Sequence, residues 1–171
     1  MSDWWGNKYS YQIGLFLTSS NMFLPDLRIE YSVTRPWTYT HPDFSYAHRN
    51  KSLGSPYGPS SKAIRIESFY FPIPKIIIES SFEHVLRGIG NGANVLDNYD
   101  NRNEDLDWDT KFFIDDKQKF TELNISFNYI LSDLLTLRST ISISETFNPY
   151  LLSESRKYSE GKFILGLDFS W

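Results

Sequence analysis

Lys162-Phe163-Ile164-Leu165-Gly166-Leu167-Asp168-Phe169-Ser170-Trp171 forms the last stretch of the sequence. Phe163, Leu165, Leu167, Phe169 and Trp171 fall on one side of an extended chain. Lys162, Gly166, Asp168 and Ser170 fall on the other, and Ile164 alone is out of step. Side chains of a strand alternate between its two faces, so this period of two predicts a strand with one apolar and one polar face.

The same alternation recurs upstream. Leu135, Leu137, Ile141 and Ile143 alternate with Thr136, Arg138, Thr140 and Ser142. Leu123, Ile125, Phe127, Tyr129 and Leu131 alternate with Glu122, Asn124, Ser126 and Asn128. Ile76, Ile78, Phe82 and Leu86 oppose Glu79, Ser81, Glu83 and Arg87, while Ile64, Ile66 and Tyr70 oppose Arg65 and Glu67. Leu27, Ile29, Tyr31, Val33, Trp37 and Tyr39 oppose Arg28, Glu30, Ser32 and Thr34, and Tyr9 to Leu17 gives the first run. These runs predict about seven strands of roughly 9–14 residues, where strands of soluble proteins centre on about 5–6 and tilted membrane-crossing strands need about 9–11.

Length and charge together favour a transmembrane β-barrel. Arg65, Glu67, Glu79, Glu83, Arg87 and Arg138 share the polar face. A dry core would accept such charges only in pairs, whereas a polar barrel lumen accepts them readily. The connections also alternate. Ser19–Asp26, Phe71–Pro74 and Ser132–Leu134 are short; about Thr40–Ser61, Gly88–Lys119 and Phe147–Gly161 are long. Outer-membrane barrels have short periplasmic turns and long extracellular loops. The expected fold is therefore all-β: an antiparallel up-and-down meander that is one unit over residues 1–171 and part of an outer-membrane barrel. Seven is odd, whereas bacterial barrels close with an even number of strands. No basic and apolar leader precedes Trp4. Both features lead to the expectation of the C-terminal portion of a larger barrel.

Composition limits the alternatives. Among 171 residues, 17% are aromatic and 40% hydrophobic, a poor match to a helical bundle or a disordered chain. The net charge of −4 gives no footprint for nucleic acid, and the absence of cysteine excludes disulfides and thiolate metal sites. The acidic run Asp97–Asp109 lacks the glycine and glutamate spacing of an EF-hand and reads as a solvated loop, with no metal or other cofactor expected. His84 falls in register with the apolar set, as an interfacial histidine. No nucleophile elbow, phosphate loop or zinc-protease motif occurs, so no enzyme is expected.

The segment with most chemistry is Arg35-Pro36-Trp37-Thr38-Tyr39-Thr40-His41-Pro42, followed by Tyr46-Ala47-His48-Arg49 and Leu53-Gly54-Ser55-Pro56-Tyr57-Gly58-Pro59. Here, in Phe82-Glu83-His84 and in the final strand, the sequence resembles the Wzi-type capsule-assembly outer-membrane proteins. The resemblance implies a barrel of about 18 strands that binds capsular polysaccharide at the cell surface, this chain matching the last third or so. It lacks the helical segment that the family carries. Phe163, Leu165, Gly166, Leu167, Phe169 and Trp171 resemble the terminal strand read by the barrel-insertion machinery. The residues themselves agree in kind. Trp37, Tyr39, Tyr46 and Tyr57 can stack on sugar rings, and His48 and Arg49 can meet hydroxyl and acidic groups. The expected partners are outer-membrane lipid, surface polysaccharide and the insertion machinery. Two other functions fit the same pattern: a general porin or solute channel lined by the six charged residues, and a soluble β-barrel or sandwich binding module.

Overall fold

The structure, a computed structural model, describes residues 4–21, 23–41, 46–49, 51–98, 100, 102, 104–113, 117–148 and 157–169. Trp171, one of the terminal-strand residues, lies outside them. The fold is all-β. Seven strands form one antiparallel sheet: β1 (Ser10–Leu17), β2 (Asp26–Thr34), β5 (Ser61–Ile73), β6 (Ile76–Gly88), β7 (Lys117–Ser132), β8 (Leu135–Phe147) and β9 (Lys157–Phe169). Each pairs with the next in sequence, and β1 and β9 leave the sheet open. A small hairpin, β3 (Ala47–His48) and β4 (Lys51–Ser52), sits in the long connection between β2 and β5.

The seven expected strands are all present, at 8 to 16 residues each, with three boundaries displaced, β9 beginning at Lys157 inside the connection expected to run to Gly161. Strand β2 stops at Thr34, so Trp37 and Tyr39 are not strand residues. Pro36 has no N–H to give the ladder, and Trp37 takes a left-handed backbone conformation (φ 63°) that turns the chain. At the other end of β5 the strand runs through Pro72 to Ile73, and the register shifts between Tyr70 and Ile73. Proline is tolerated at such an irregularity because no ladder hydrogen bond is required of it.

The register assembles two continuous faces. One row crosses the sheet as Tyr11–Val33–Lys62–Leu86–Lys119–Phe147–Lys157. Two residues further from the long loops it becomes Ile13–Tyr31–Ile64–His84–Thr121–Glu145–Ser159, and then Leu15–Ile29–Ile66–Phe82–Leu123–Ile143–Gly161. Leu27, Ile125, Ile141, Phe163, Leu165 and Leu167 continue this apolar face, with Ser68, Ser80 and Ser139 among them. Arg28, Glu30, Arg65, Glu67, Glu79, Glu83, Arg87 and Arg138 all fall on the other face.

Burial is inverted relative to a water-soluble sheet protein. The apolar face is bare: Ile13 is 67% and Leu165 64% exposed, with Leu15, Ile141, Ile143, Phe163 and Leu167 about half exposed or more. The buried residues sit instead at the long-loop end of the sheet, mostly where the loops fold over the polar face; Val33, in the top row of the apolar face, is buried there too. Val33, Trp37, Ala63, Val85, Ala93 and Val95 are the buried apolar side chains, and Pro36 and Pro59 are fully enclosed.

Candidate functional site

The loops at one end of the sheet form a cap with its own small core. Trp37 is 2% exposed, its N–H donates to Gly92 O (2.9 Å), and its ring lies on the Gly92 backbone. A Cβ on Gly92 would stand 2.5 Å from that ring, and the Gly92 φ of 85° suits only glycine. Arg35 Nη2 donates to Thr110 O (3.1 Å), Ser60 Oγ to Phe112 O (3.0 Å), and Gly88 N–H to Ser60 O (2.7 Å). These bonds tie the β2–β5 loop to the β6–β7 loop. Trp37 therefore builds the cap and offers no ring face to a sugar.

Tyr39 is half buried behind Tyr46. Its ring covers Gly54, its hydroxyl accepts from Ser55 N–H (2.8 Å), and the two tyrosine rings lie 6.3 Å apart. Tyr46 is 59% exposed. His48 and Arg49 are exposed on the β3–β4 hairpin, where Arg49 (φ 49°) makes the turn. Tyr46, His48 and Arg49 are thus all open to solvent.

Tyr57 turns the opposite way, down onto the polar face. Its hydroxyl donates to Glu83 Oε2 (2.7 Å), and with Pro56 it closes a small cavity against Gln12, Glu30, Ser32, Ala63 and Arg65. Burial, followed by the hydrogen bond to Glu83, pushes its phenol from 10.0 up to about 12. The raised value means that folding favours the neutral phenol. This contribution is full below pH 10 and fades as pH rises through about 12. Tyrosinate absorbance is expected to show one tyrosine ionising near pH 12, absent in Tyr57→Phe, with loops becoming protease-sensitive over the same window. Ionisation of Tyr57 near pH 10 would contradict this docking.

Below Tyr57 the charges form a ladder. Arg28 reaches Glu30 (2.5 Å) and Glu67 (3.3 Å); Arg65 reaches Glu67 (2.6 Å) and Glu83 (3.8 Å). A second set runs on: Asn128 Nδ2 donates to Glu79 (3.5 Å), and Arg138 Nε reaches Asn128 Oδ1 (3.0 Å) and Asp168 (3.3 Å). Five of the six charged residues expected on one face serve these networks.

Arg87, the sixth, leaves the ladder and lines a cleft of about 550 Å³ between the two loops. Lys51, Gly54, Tyr57, Pro59 and Asn94 also line it. Arg87 Nη2 donates to Ala93 O (3.4 Å), and its guanidinium lies beside Gly58. Among the described residues the cleft wall carries two cations, Lys51 and Arg87, and no carboxylate. Its volume is within the ~300–1,000 Å³ usual for small-ligand sites.

Sequence reasoning missed Lys51, Arg87 and Asn94 as cleft residues, because contacts between two loops leave no periodic signal. It also missed an aromatic pair, Trp4 stacked on Trp108 with centroids 6.0 Å apart, the latter 72% exposed. In the acidic run, Asp97 accepts from Gly92 N–H (2.6 Å) and Asn94 N–H (3.0 Å), and Asp107 pairs with Arg102 (3.0 Å). That hydrogen bond raises the Arg102 pKa further above its ordinary value. Among the described residues no group of three or more acidic or histidine side chains is placed to hold a metal ion. Compared with protein-family models and with curated proteins, the chain finds no match.

Proposed function

We propose that the chain is part of an outer-membrane β-barrel that binds and organises surface polysaccharide without catalysis, as its resemblance to the Wzi-type capsule-assembly proteins implies. The observation that carries the membrane half is the bare apolar face. Soluble monomers rarely expose contiguous apolar patches beyond a few hundred Å², and when one face of an antiparallel sheet is covered it is the apolar one. Here the loops cover the polar face instead, and reach the apolar one only at its upper end, at Val33 and Lys62.

The shape of the apolar band adds to this. Its unbroken, uncovered part begins at Tyr11 on β1, at the Tyr31–Ile64 row on β2 and β5, at the Phe82–Leu123–Ile143 row on β6 to β8, where Leu86 and Phe147 stand apart beyond His84 and Glu145, and at Phe163 on β9. The edge descends three rows over six strand-to-strand steps. With about 6.8 Å per row and about 4.8 Å per step, the slope is roughly 35°. Strands of transmembrane barrels tilt by about 35–45°, so a belt of lipid around tilted strands would cut the sheet at this slant.

The polysaccharide half rests on the cap. It lies at the long-loop end, which is the extracellular end of such a barrel. There Tyr46 and the Trp4–Trp108 pair present rings, Arg49 and His48 present donors, and the Lys51–Arg87 cleft suits an acidic sugar. Hydrogen bonds from cations to carboxylates are about twice as strong as neutral ones. The cap and the Tyr57–Glu83 bond fill part of the polar face, which favours glycan binding over the open channel of a porin.

Substituting Lys51→Gln and Arg87→Gln together is expected to weaken retention of an acidic capsule at the cell surface about tenfold, at equal barrel abundance, on the ~1.5–3 kcal/mol of a charged hydrogen bond. Tyr46→Ala with Arg49→Gln should reduce it further, and raised salt should mimic the charge variants. Retention unchanged in all of them would reject the site.

A further inference from the structure

The strand cations divide unevenly between the faces. Arg28, Arg65, Arg87 and Arg138 lie on the polar face, as does Lys162, which pairs with Glu160 (3.0 Å). Among the described residues, every cation on the apolar face of a strand is a lysine: Lys62, Lys117, Lys119 and Lys157. All four stand above the apolar band, at the cap end. At the other end of this face Leu17, Leu27, Tyr70, Ile76 and Leu137 carry no charge. Solubility alone would have no reason to gather lysines at one end of one face.

Lys62 and Lys119 flank Leu86 in one row, two strands and so about 10 Å apart. Lys117 stands two residues above Lys119. Lys62 Nζ lies 4.5 Å from the Phe112 ring centroid and 5.7 Å from that of Phe113, and Lys117 Nζ lies 5.1 Å from Phe113. Lys119 Nζ lies 5.8 Å from the Phe147 centroid. Lys157 is neutralised by Glu145 (2.9 Å). Among the described residues no carboxylate pairs with Lys62, Lys117 or Lys119.

We infer that Lys62, Lys117 and Lys119 form a docking site for a phosphate-bearing membrane lipid, with its phosphates on the ammonium groups and its acyl chains on Ile64, Phe82 and Leu123 below. The inference rests on the membrane reading above. Charge complementarity selects the headgroup: three cations, with no acidic partner among the described residues, stand directly above an apolar surface, where lysines attract anionic lipid headgroups. Lysine heads on aliphatic stems suit the boundary between hydrocarbon and water.

The test uses the full chain in neutral maltoside micelles, titrated with diphosphoryl lipid A, with the same lipid stripped of its phosphates, and with inorganic phosphate. Binding of the phosphorylated lipid is expected to be at least tenfold tighter than that of the stripped one. It should be lost in Lys62→Gln/Lys117→Gln/Lys119→Gln and retained in the corresponding triple arginine variant, with strand circular dichroism unchanged. Equal binding of the two lipids would overturn the inference while leaving the membrane reading standing. Displacement by inorganic phosphate at matched concentration would overturn it too, assigning the site to a free anion. A chain that stays in water and takes up no micelle would remove the membrane reading, and this inference with it.

Discussion

Leu165→Arg is expected to destabilise the folded protein by about 2–4 kcal/mol in a bilayer, whereas Asp168→Asn on the same strand should cost little. Leu165 lies opposite Ser139, in the row of Phe127 and Ile78, near the middle of the apolar band on β9. It is 64% exposed, and no protein group is displaced by a longer side chain. If water met this face, arginine would be tolerated within about 0.5 kcal/mol, as at most surface positions. The whole penalty therefore measures contact with hydrocarbon. Asp168 faces the polar side, where it pairs with Arg138 while both stay half exposed. Folding of each variant into lipid vesicles, followed by urea titration, separates the outcomes. Equal stability of Leu165→Arg and the parent protein would count against the lipid-facing assignment.

Trp37→Ala is expected to cost the cap about 3–5 kcal/mol, the usual loss for a large aromatic side chain removed from a packed interior. The ring is almost wholly buried and is the largest apolar group joining the two long loops. Gly92→Ala should act through the same contact, since its Cβ would stand 2.5 Å from the ring and its φ is 85°. Neither residue belongs to the sheet. Limited proteolysis should thus cut the loops of both variants quickly while strand circular dichroism stays unchanged. Loops of Trp37→Ala as resistant as those of the parent would show that the cap is not held by this ring. A sheet that unfolds together with the cap would contradict their separate stabilities.

What was legible in the sequence was what repeats. The alternation from Lys162 to Phe169, and the similar runs upstream, placed seven strands and both faces, because a period of two is a backbone property that survives one misfit such as Ile164. The alternation of short and long connections was legible for the same reason. Errors arose where the periodic signal continued by chance. Trp37 and Tyr39 are in phase with Leu27 to Val33, so they read as strand, yet Pro36 removes a donor and Trp37 turns left-handed. Tyr57 is by residue type able to stack on a sugar, but its phenol is drawn down to Glu83, a residue 26 positions away. Composition shows which residues could bind and gives no direction for a loop side chain. The Lys51–Arg87 cleft was hidden for a related reason: Arg87 belongs to a strand pattern and Lys51 to a loop, and only the fold of the cap brings them together.

In the membrane reading the apolar face of the sheet meets lipid. The sequence contains no cysteine, so single cysteines introduced from Phe163 to Asp168 can each be probed without background. With the protein in the cell envelope, a membrane-impermeant thiol reagent and a lipid-soluble one should report opposite patterns. Positions 163, 165 and 167 are predicted to react only with the lipid-soluble reagent, and positions 164, 166 and 168 to be reached from water through the polar side. Uniform labelling of all six by the water-soluble reagent would contradict the account, because a face open to water has no reason to stay bare and apolar.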